Sequence, residues 1–202
     1  LIAILVTYFI AMISIVMMSI ILMKHYHLQQ DKLSELANQL QEMAHLDPLT
    51  HIYNRRYLVE YLNKKMKIES QKFAVVLLDI DDFKSINDQY GHIYGDQTLQ
   101  AFSYSMKKNM DNKGIVTRFG GEEFMLVFDD INHEVIEDTL NKVAEEFALY
   151  GKQSKGIELS FSGGVEVSYQ EDEIIKLFNR ADHKLYYAKH TGKKKIVFDI
   201  DV

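Results

Sequence analysis

The chain has no cysteine and a single proline in 202 residues. The first absence excludes a disulfide framework and any thiolate metal site. The lone proline, Pro48, follows Asp47, and a residue before proline is pushed out of helical geometry, so a helix is predicted to end there. A basic excess is also missing. The formal net charge is −6, which argues against a general nucleic-acid binder, whose surface is normally basic. No internal repeat or low-complexity segment interrupts the chain. Charge itself is absent from residues 1–23, where Thr7, Ser14 and Ser19 are the only clearly polar side chains.

About 20 such apolar residues in a helix span the hydrocarbon core of a bilayer. A signal peptide would need a basic start, a shorter apolar core and a small-residue cleavage site, and residues 1–23 have none of these. A buried core helix would show a polar face. Residues 1–23 therefore read as a transmembrane helix, the last of a membrane region. Lys24 and Lys32 follow it and favour a cytoplasmic location for what comes next. Residues 24–46 are polar and helix-friendly, with Leu33, Leu36, Leu40 and Met43 at 3-4-3 spacing. That spacing fits the seam of a short coiled coil, a stalk that would pair two copies of the following domain. The plainer reading, a helix packing on its own domain, stays open.

Beyond Pro48 the patterning alternates between helix and strand. Helices are predicted over residues 54–69, 95–110, 133–150 and 172–190, the last with Ile175, Phe178, Ala181, Leu185 and Ala188 inward. Residues 73–80 form an almost continuous apolar run suited to a central strand. Strands are also predicted over 116–119, 124–128, 157–167 and 196–200, with Gly163 and Gly164 interrupting the fourth of the five. The mixture, with a hairpin at its middle, predicts an α+β fold with a mixed sheet covered by helices.

Chemistry concentrates at Arg118-Phe119-Gly120-Gly121-Glu122-Glu123-Phe124. Glycines at a hairpin turn tolerate positive φ and leave room for a phosphate to approach the backbone. Adjacent carboxylates can hold a hard cation such as Mg²⁺. An exposed hairpin that merely happens to be acidic is the plainer alternative. Asp79 ends the central apolar run, and a carboxylate there is costly unless paired or metal-bound. Asp79 and Glu122 could thus clamp Mg²⁺ against phosphates, while Asp82 reads as the cap of the next helix. Further on, Gly91 and Gly95 break the chain and Asp96 can cap the helix after them. Asn87 and Asp96 offer an amide and a carboxylate, and a carboxylate can accept from guanine N1–H and N2–H₂, which adenine lacks.

Taken together, Asp47-Pro48-Leu49-Thr50 with Asn54-Arg55-Arg56, Asp79-Ile80-Asp81 with Phe83-Lys84 and Asn87-Asp88, Gly91-His92 with Gly95-Asp96, Gly120 to Phe124, and Ala181-Asp182 with Tyr186 and Ala188-Lys189 resemble the GGDEF domain of diguanylate cyclases. The match runs in register from about residue 45 to 200. The resemblance implies a fold like the nucleotidyl cyclases and the polymerase palm, over residues 47–202. It implies condensation of two GTP into cyclic di-GMP and two pyrophosphates at a homodimer interface. By the same resemblance Asp79, the Ile80 carbonyl and Glu122 match metal ligands, for Mg²⁺ or Mn²⁺, two ions per site. Asn87 and Asp96, with His92 close by, match guanine recognition. Lys84 matches a phosphate-contacting lysine, and Lys189 and Lys193 match residues that hold the outer phosphates. Glu122 or Glu123 is implied as acceptor of the attacking hydroxyl proton, and Gly120 and Gly121 as donors of backbone N–H groups to phosphate.

The chain departs from the family at two places. Where members often carry Arg-x-x-Asp, at which product binds and inhibits, it reads Asp111-Asn112-Lys113-Gly114, which predicts no product feedback there. Where the family has Gly-Arg-Asn, it reads Gly192-Lys193-Lys194, keeping charge but losing the bidentate fork. The overall expectation is a cyclase anchored in the cell membrane with its catalytic domain in the cytoplasm. The rivals are a non-catalytic module that binds GTP or a protein, and a cyclase that makes a mononucleotide ring or uses ATP.

Overall fold

The structure is a computed structural model that describes residues 2–43, 45–68, 72–169 and 173–199, giving the backbone alone for 3–7 and 37–43. The chain divides into two compact units, residues 1–44 and 45–202. The described part of the first is one helix, α1 (Ile2–Met43). No glycine or proline lies within it, so nothing breaks the helix where apolar sequence gives way to polar at Lys24. Its described side chains are all exposed. Tyr8–Leu36 is long and apolar enough to cross a membrane, with mean hydropathy 1.8. Ser14 and Ser19 return their hydroxyls to the carbonyls of Ile10 and Ile15, satisfying polar groups within the helix as a lipid environment requires. Of the predicted seam, Leu33 and Leu36 are exposed, while the side chains of Leu40 and Met43 lie outside the described residues.

The second unit runs β1 (Tyr53–Asn54), α2 (Arg55–Lys65), β2 (Ala74–Ile80), α3 (Phe83–Tyr90), α4 (His92–Asn109), β3 (Gly114–Arg118), β4 (Glu123–Phe128), α5 (His133–Lys155), β5 (Phe161–Val167), α6 (Ile174–His190) and β6 (Ile196–Val197). One sheet holds all six strands in the order β1-β3-β4-β2-β5-β6. The outer pairs β1·β3 and β5·β6 are parallel and the inner pairs antiparallel. This is the mixed, helix-covered sheet that the sequence predicts.

Strand β2 sits at the centre and is buried on both faces, which explains its unbroken apolar run. Ala74, Val76, Leu78 and Ile80 join a core with Phe102 and Met106 of α4 and Leu140, Val143 and Phe147 of α5. Val75 and Leu77 join a second core with Leu58 and Leu62 of α2 and Leu177, Ala181 and Leu185 of α6. Side chains alternate along a strand, so Asp79 emerges on the α2/α6 side, at the end where β2 leaves the core.

Several expectations need correction. Residues 83–90 form the helix expected after Asp82, and α4 begins at His92, so Gly95 and Asp96 lie inside it and Asp96 caps nothing. Asp82 occupies the cap position of α3 in a left-handed conformation, but its side chain makes no capping bond. Gly163 and Gly164 do not interrupt β5. Ile175 is 69% exposed rather than inward, and Leu177 takes its place in the core. Glu69, Asp172 and Ile200, predicted ends of elements, lie outside the described residues.

Candidate active site

Asp79, the last polar residue of β2, stands directly opposite Glu123 in the antiparallel register of β2 and β4. One residue on, the Ile80 N–H donates to the Glu122 carbonyl at 3.4 Å. The central strand and the signature hairpin therefore deliver three carboxylates to one end of the sheet. Like charges facing each other across strands are destabilising. Burial first, and then the charge of Asp79, pushes both Glu122 and Glu123 above the usual carboxylate range. Burial likewise raises Asp79, against the opposing pull of Lys189. Such mutually perturbed carboxylates in a partly buried cluster mark a functional site more often than a structural one.

Lys189, from the last turn of α6, reaches into this cluster. Its Nζ donates to Asp79 Oδ1 at 2.5 Å and to the Ile80 carbonyl at 3.2 Å, and lies 3.4 Å from Asp81 Oδ1. A carboxylate oxygen and a backbone carbonyl are the hard donors that Mg²⁺ favours, and the ammonium stands where they converge, as a cation in their midst. Among the described residues no three carboxylate or imidazole side chains form a ready-made cage. That composition suits an ion that draws its remaining ligands from water and substrate oxygens. The residues thus fit a divalent ion held by Asp79, the Ile80 carbonyl and Glu122.

Asp81 has a different task, visible only in the fold. It is buried, and its carboxylate accepts from the hydroxyls of Ser162 (2.7 Å) and Ser160 (2.8 Å) and from the Lys194 N–H (3.1 Å). It thereby ties the end of β2 to the start of β5 and to the loop after α6. Lys193 and Lys194 in that loop both have positive φ. Lys193 donates to Asp82 Oδ1 at 2.6 Å, so the two arms of the site are bridged by an exposed ion pair. Lys84 is exposed in the first turn of α3.

Asn87, one of the predicted guanine residues, packs against Gly95, the residue before Asp96. A Cβ at Gly95 would fall 1.9 Å from Asn87 Oδ1, so only glycine lets the α3 amide rest against α4. Asp96 follows on α4 and is exposed, as is His92 at its start. Gly91 makes the turn between the helices at φ 83°.

In the hairpin, the N–H groups of Phe119 (2.8 Å) and Gly120 (3.1 Å) both donate to the Glu123 carbonyl. Neither Gly120 nor Gly121 adopts positive φ, contrary to the expectation for this turn. What Gly120 supplies is space, since a Cβ there would lie 2.6 Å from Glu123 Oε2. Its N–H is committed to the turn. Arg118 fixes the turn from below, donating to the Gly121 carbonyl at 2.8 Å and to Asp47 Oδ1 at 3.0 Å. Asp47 also accepts from the Thr50 N–H and hydroxyl, so the Asp47–Thr50 turn and the signature hairpin are one hydrogen-bonded assembly. Arg55 lies 4.5 Å over the Phe119 ring. Its charge pulls Glu123 down while that of Asp182 pushes it up.

Gly114, at the position of the family's Asp in Arg-x-x-Asp, has φ 148°, and a Cβ there would lie 1.8 Å from the Val127 carbonyl. No side chain fits that backbone.

The sequence profile of the family described as "Diguanylate cyclase, GGDEF domain" matches residues 44–195. The chain belongs to this family. A "Probable diguanylate cyclase DgcF" of Escherichia coli is 36% identical over 171 residues, covering 81% of this chain and 54% of that protein. An uncharacterised membrane protein of Staphylococcus epidermidis is 32% identical over 172 residues, covering 81% of this chain and 48% of its own length. The chain thus spans about half the length of these curated relatives. Among solved structures, the active GGEEF domain of a diguanylate cyclase from Vibrio cholerae is 27% identical with TM-score 0.66, covering 74% of this chain and 98% of that one. The coiled coil and GGDEF domain of DgcB from Caulobacter crescentus, in complex with c-di-GMP, has TM-score 0.75 at 24% identity, covering 84% and 93%, and shares the fold.

Proposed function

We propose that residues 47–202 form a diguanylate cyclase that joins two GTP molecules into cyclic di-GMP with release of two pyrophosphates. The observation that carries the reading is the set of oxygens on Asp79, Ile80, Glu122 and Glu123 at one end of the sheet, with a cation already among them. A domain with this site holds one GTP, so the 3′-hydroxyl of one nucleotide must meet the α-phosphate of another held by a facing copy. Asn87 and Asp96 orient the guanine through its Watson–Crick edge. Gly121 and Lys84 take phosphate oxygens, and Lys193 and Lys189 take the outer phosphates. Asp79, Glu122 and the Ile80 carbonyl hold the divalent ions, which supply activation of the nucleophile and stabilisation of the leaving pyrophosphate. Glu122 or Glu123 accepts the hydroxyl proton, a role suited to a carboxylate whose proton affinity burial and neighbouring charge have raised.

Residues 1–23 serve as a membrane span and residues 24–46 as a helical stalk that pairs two chains, with the catalytic domain on the cytoplasmic side. The apolar stretch of α1, the lysines that follow it and the likeness to a staphylococcal membrane protein support this.

Residues 24–202, dimerised through the stalk and incubated with GTP and Mg²⁺, yield linear or cyclic dinucleotide by mass spectrometry, and Glu122→Ala abolishes it. Unchanged GTP with measurable binding would make the domain a binding module instead. Turnover surviving Glu122→Ala would overturn the metal assignment.

Product feedback through the Arg-x-x-Asp position is absent in this reading, because Asp111 reverses the charge of the arginine and Gly114 cannot carry the aspartate. Calorimetric titration with cyclic di-GMP gives no binding that Gly114 or Asp111 substitutions alter. A binding step sensitive to them would refute it.

A further inference from the structure

Lys189 occupies the oxygens assigned to the metal. Its ammonium takes Asp79 Oδ1 at 2.5 Å and the Ile80 carbonyl at 3.2 Å. A divalent ion on the same two atoms would stand at contact distance from the ammonium and be repelled by it. We propose that Lys189 is a built-in competitor of the bare metal, which Mg²⁺ displaces only when it arrives bound to the triphosphate. The inference rests on the metal assignment above.

The surroundings make the exchange one-sided. Asp81 Oδ1 lies 3.4 Å from the ammonium. Asp81 is shared with Ser162, Ser160 and the Lys194 N–H, and the charges of Glu122 and Glu123 also face the ammonium. Asp82, the next carboxylate along, is paired with Lys193 at 2.6 Å. A bare ion would therefore set a second cation beside a half-buried ammonium that repels it, with no new anion to offset the charge. A metal–triphosphate complex brings its own anionic oxygens, and the flexible four-carbon stem of lysine lets the ammonium swing from Asp79 to a phosphate without moving α6. Metal and nucleotide then enter together, and the carboxylates stay neutralised between turnovers. The same side chain serves in turn as counter-ion and as phosphate ligand.

The full-length chain in detergent micelles is titrated with Mn²⁺, and free Mn²⁺ is read by electron paramagnetic resonance. Titrations are made without nucleotide and with 3′-deoxy-GTP, which lacks the attacking hydroxyl. Removing the competitor in Lys189→Gln tightens Mn²⁺ binding without nucleotide by about tenfold, the equivalent of one charge-assisted hydrogen bond no longer broken. With 3′-deoxy-GTP present the order reverses, and Lys189→Gln binds Mn²⁺ more weakly than the unmodified chain. Lys193→Gln removes a neighbouring charge that touches neither donor and shifts Mn²⁺ affinity without nucleotide less than about twofold. Lys189→Met repeats the first arm without a polar head group, and thermal melts by circular dichroism confirm that each variant is folded. Lys189 variants that bind Mn²⁺ no tighter than the unmodified chain overturn the proposal, as does an equal gain in Lys193→Gln, which would reduce the effect to general charge. Asp79→Asn separates the two levels. If it abolishes Mn²⁺ binding while Lys189→Gln leaves it unchanged, only the competition is wrong. If Asp79→Asn has no effect, the metal assignment falls and the competition with it.

Discussion

Asp79 and Asp81 leave the end of β2 one residue apart, and their neighbours divide them. Asp79 faces Glu123 and Lys189, while Asp81 is enclosed by two serine hydroxyls and a backbone N–H. Asp79 could be singled out in the sequence because an acid terminating an apolar run has no local partner. Asp81 could not, because Ser160 and Ser162 lie far along the chain and nothing local announces them. Asp47 is a similar case. Its motif was visible, but its bond to Arg118 was not. Burial works against its charge, yet the Thr50 hydroxyl and N–H and then Arg118 outweigh it and hold the carboxyl below its ordinary 3.8. A depressed acid contributes stability that is present above the unfolded value and lost as pH falls through the folded one. Asp47→Asn therefore lowers the melting temperature at pH 7, and the gap to the unmodified protein narrows as pH falls below about 4. A gap that stayed constant from pH 7 to pH 3 would show that the charge of Asp47 contributes nothing.

At the scale of elements, long periodic segments were legible and short ones were not. Helices α2, α5 and α6 each bury one stripe, which the spacing of apolar residues reveals. Helix α3 buries only Phe83 and Ile86, so its start after Asp82 was legible but its length was not. Strand β1 has two residues and exists because β3 offers it an edge. The glycine pair in β5 reads as a break in the sequence because its reason lies in another element. A Cβ on Gly164 would come within 2.2 Å of the Ala181 carbonyl and 2.6 Å of the Leu185 N–H. Both are backbone atoms of α6, so the helix itself would have to lift. Gly164→Ala is expected to cost about 1–3 kcal/mol in urea denaturation, the range of overpacked cores. It also moves Lys189, at the end of that helix, away from Asp79. Unchanged stability would mean that α6 does not sit so close to β5.

At the scale of the molecule, the proposed reaction cannot be completed by one domain. The unit beginning at His45 is compact by itself, so residues 45–202 should fold without the stalk. Its specific activity should then rise in proportion to enzyme concentration in dilute solution and level off when it is fused to a parallel coiled coil. A specific activity independent of dilution in the isolated domain would show that the stalk is not what brings the two copies together. The apolar span and the domain class were legible because each rests on local composition or contiguous motifs. The convergence of α6 on the end of β2 was not, because it depends on the packing of the whole sheet.

The backbone at Gly114 has a consequence for anyone who would redesign this domain. With φ at 148° and the Val127 carbonyl where a side chain would begin, grafting an aspartate there distorts the border of the β3–β4 ribbon before any ligand is met. An acidic side chain for a ligand at this border would have to come from a neighbouring position, or the ribbon be rebuilt around it.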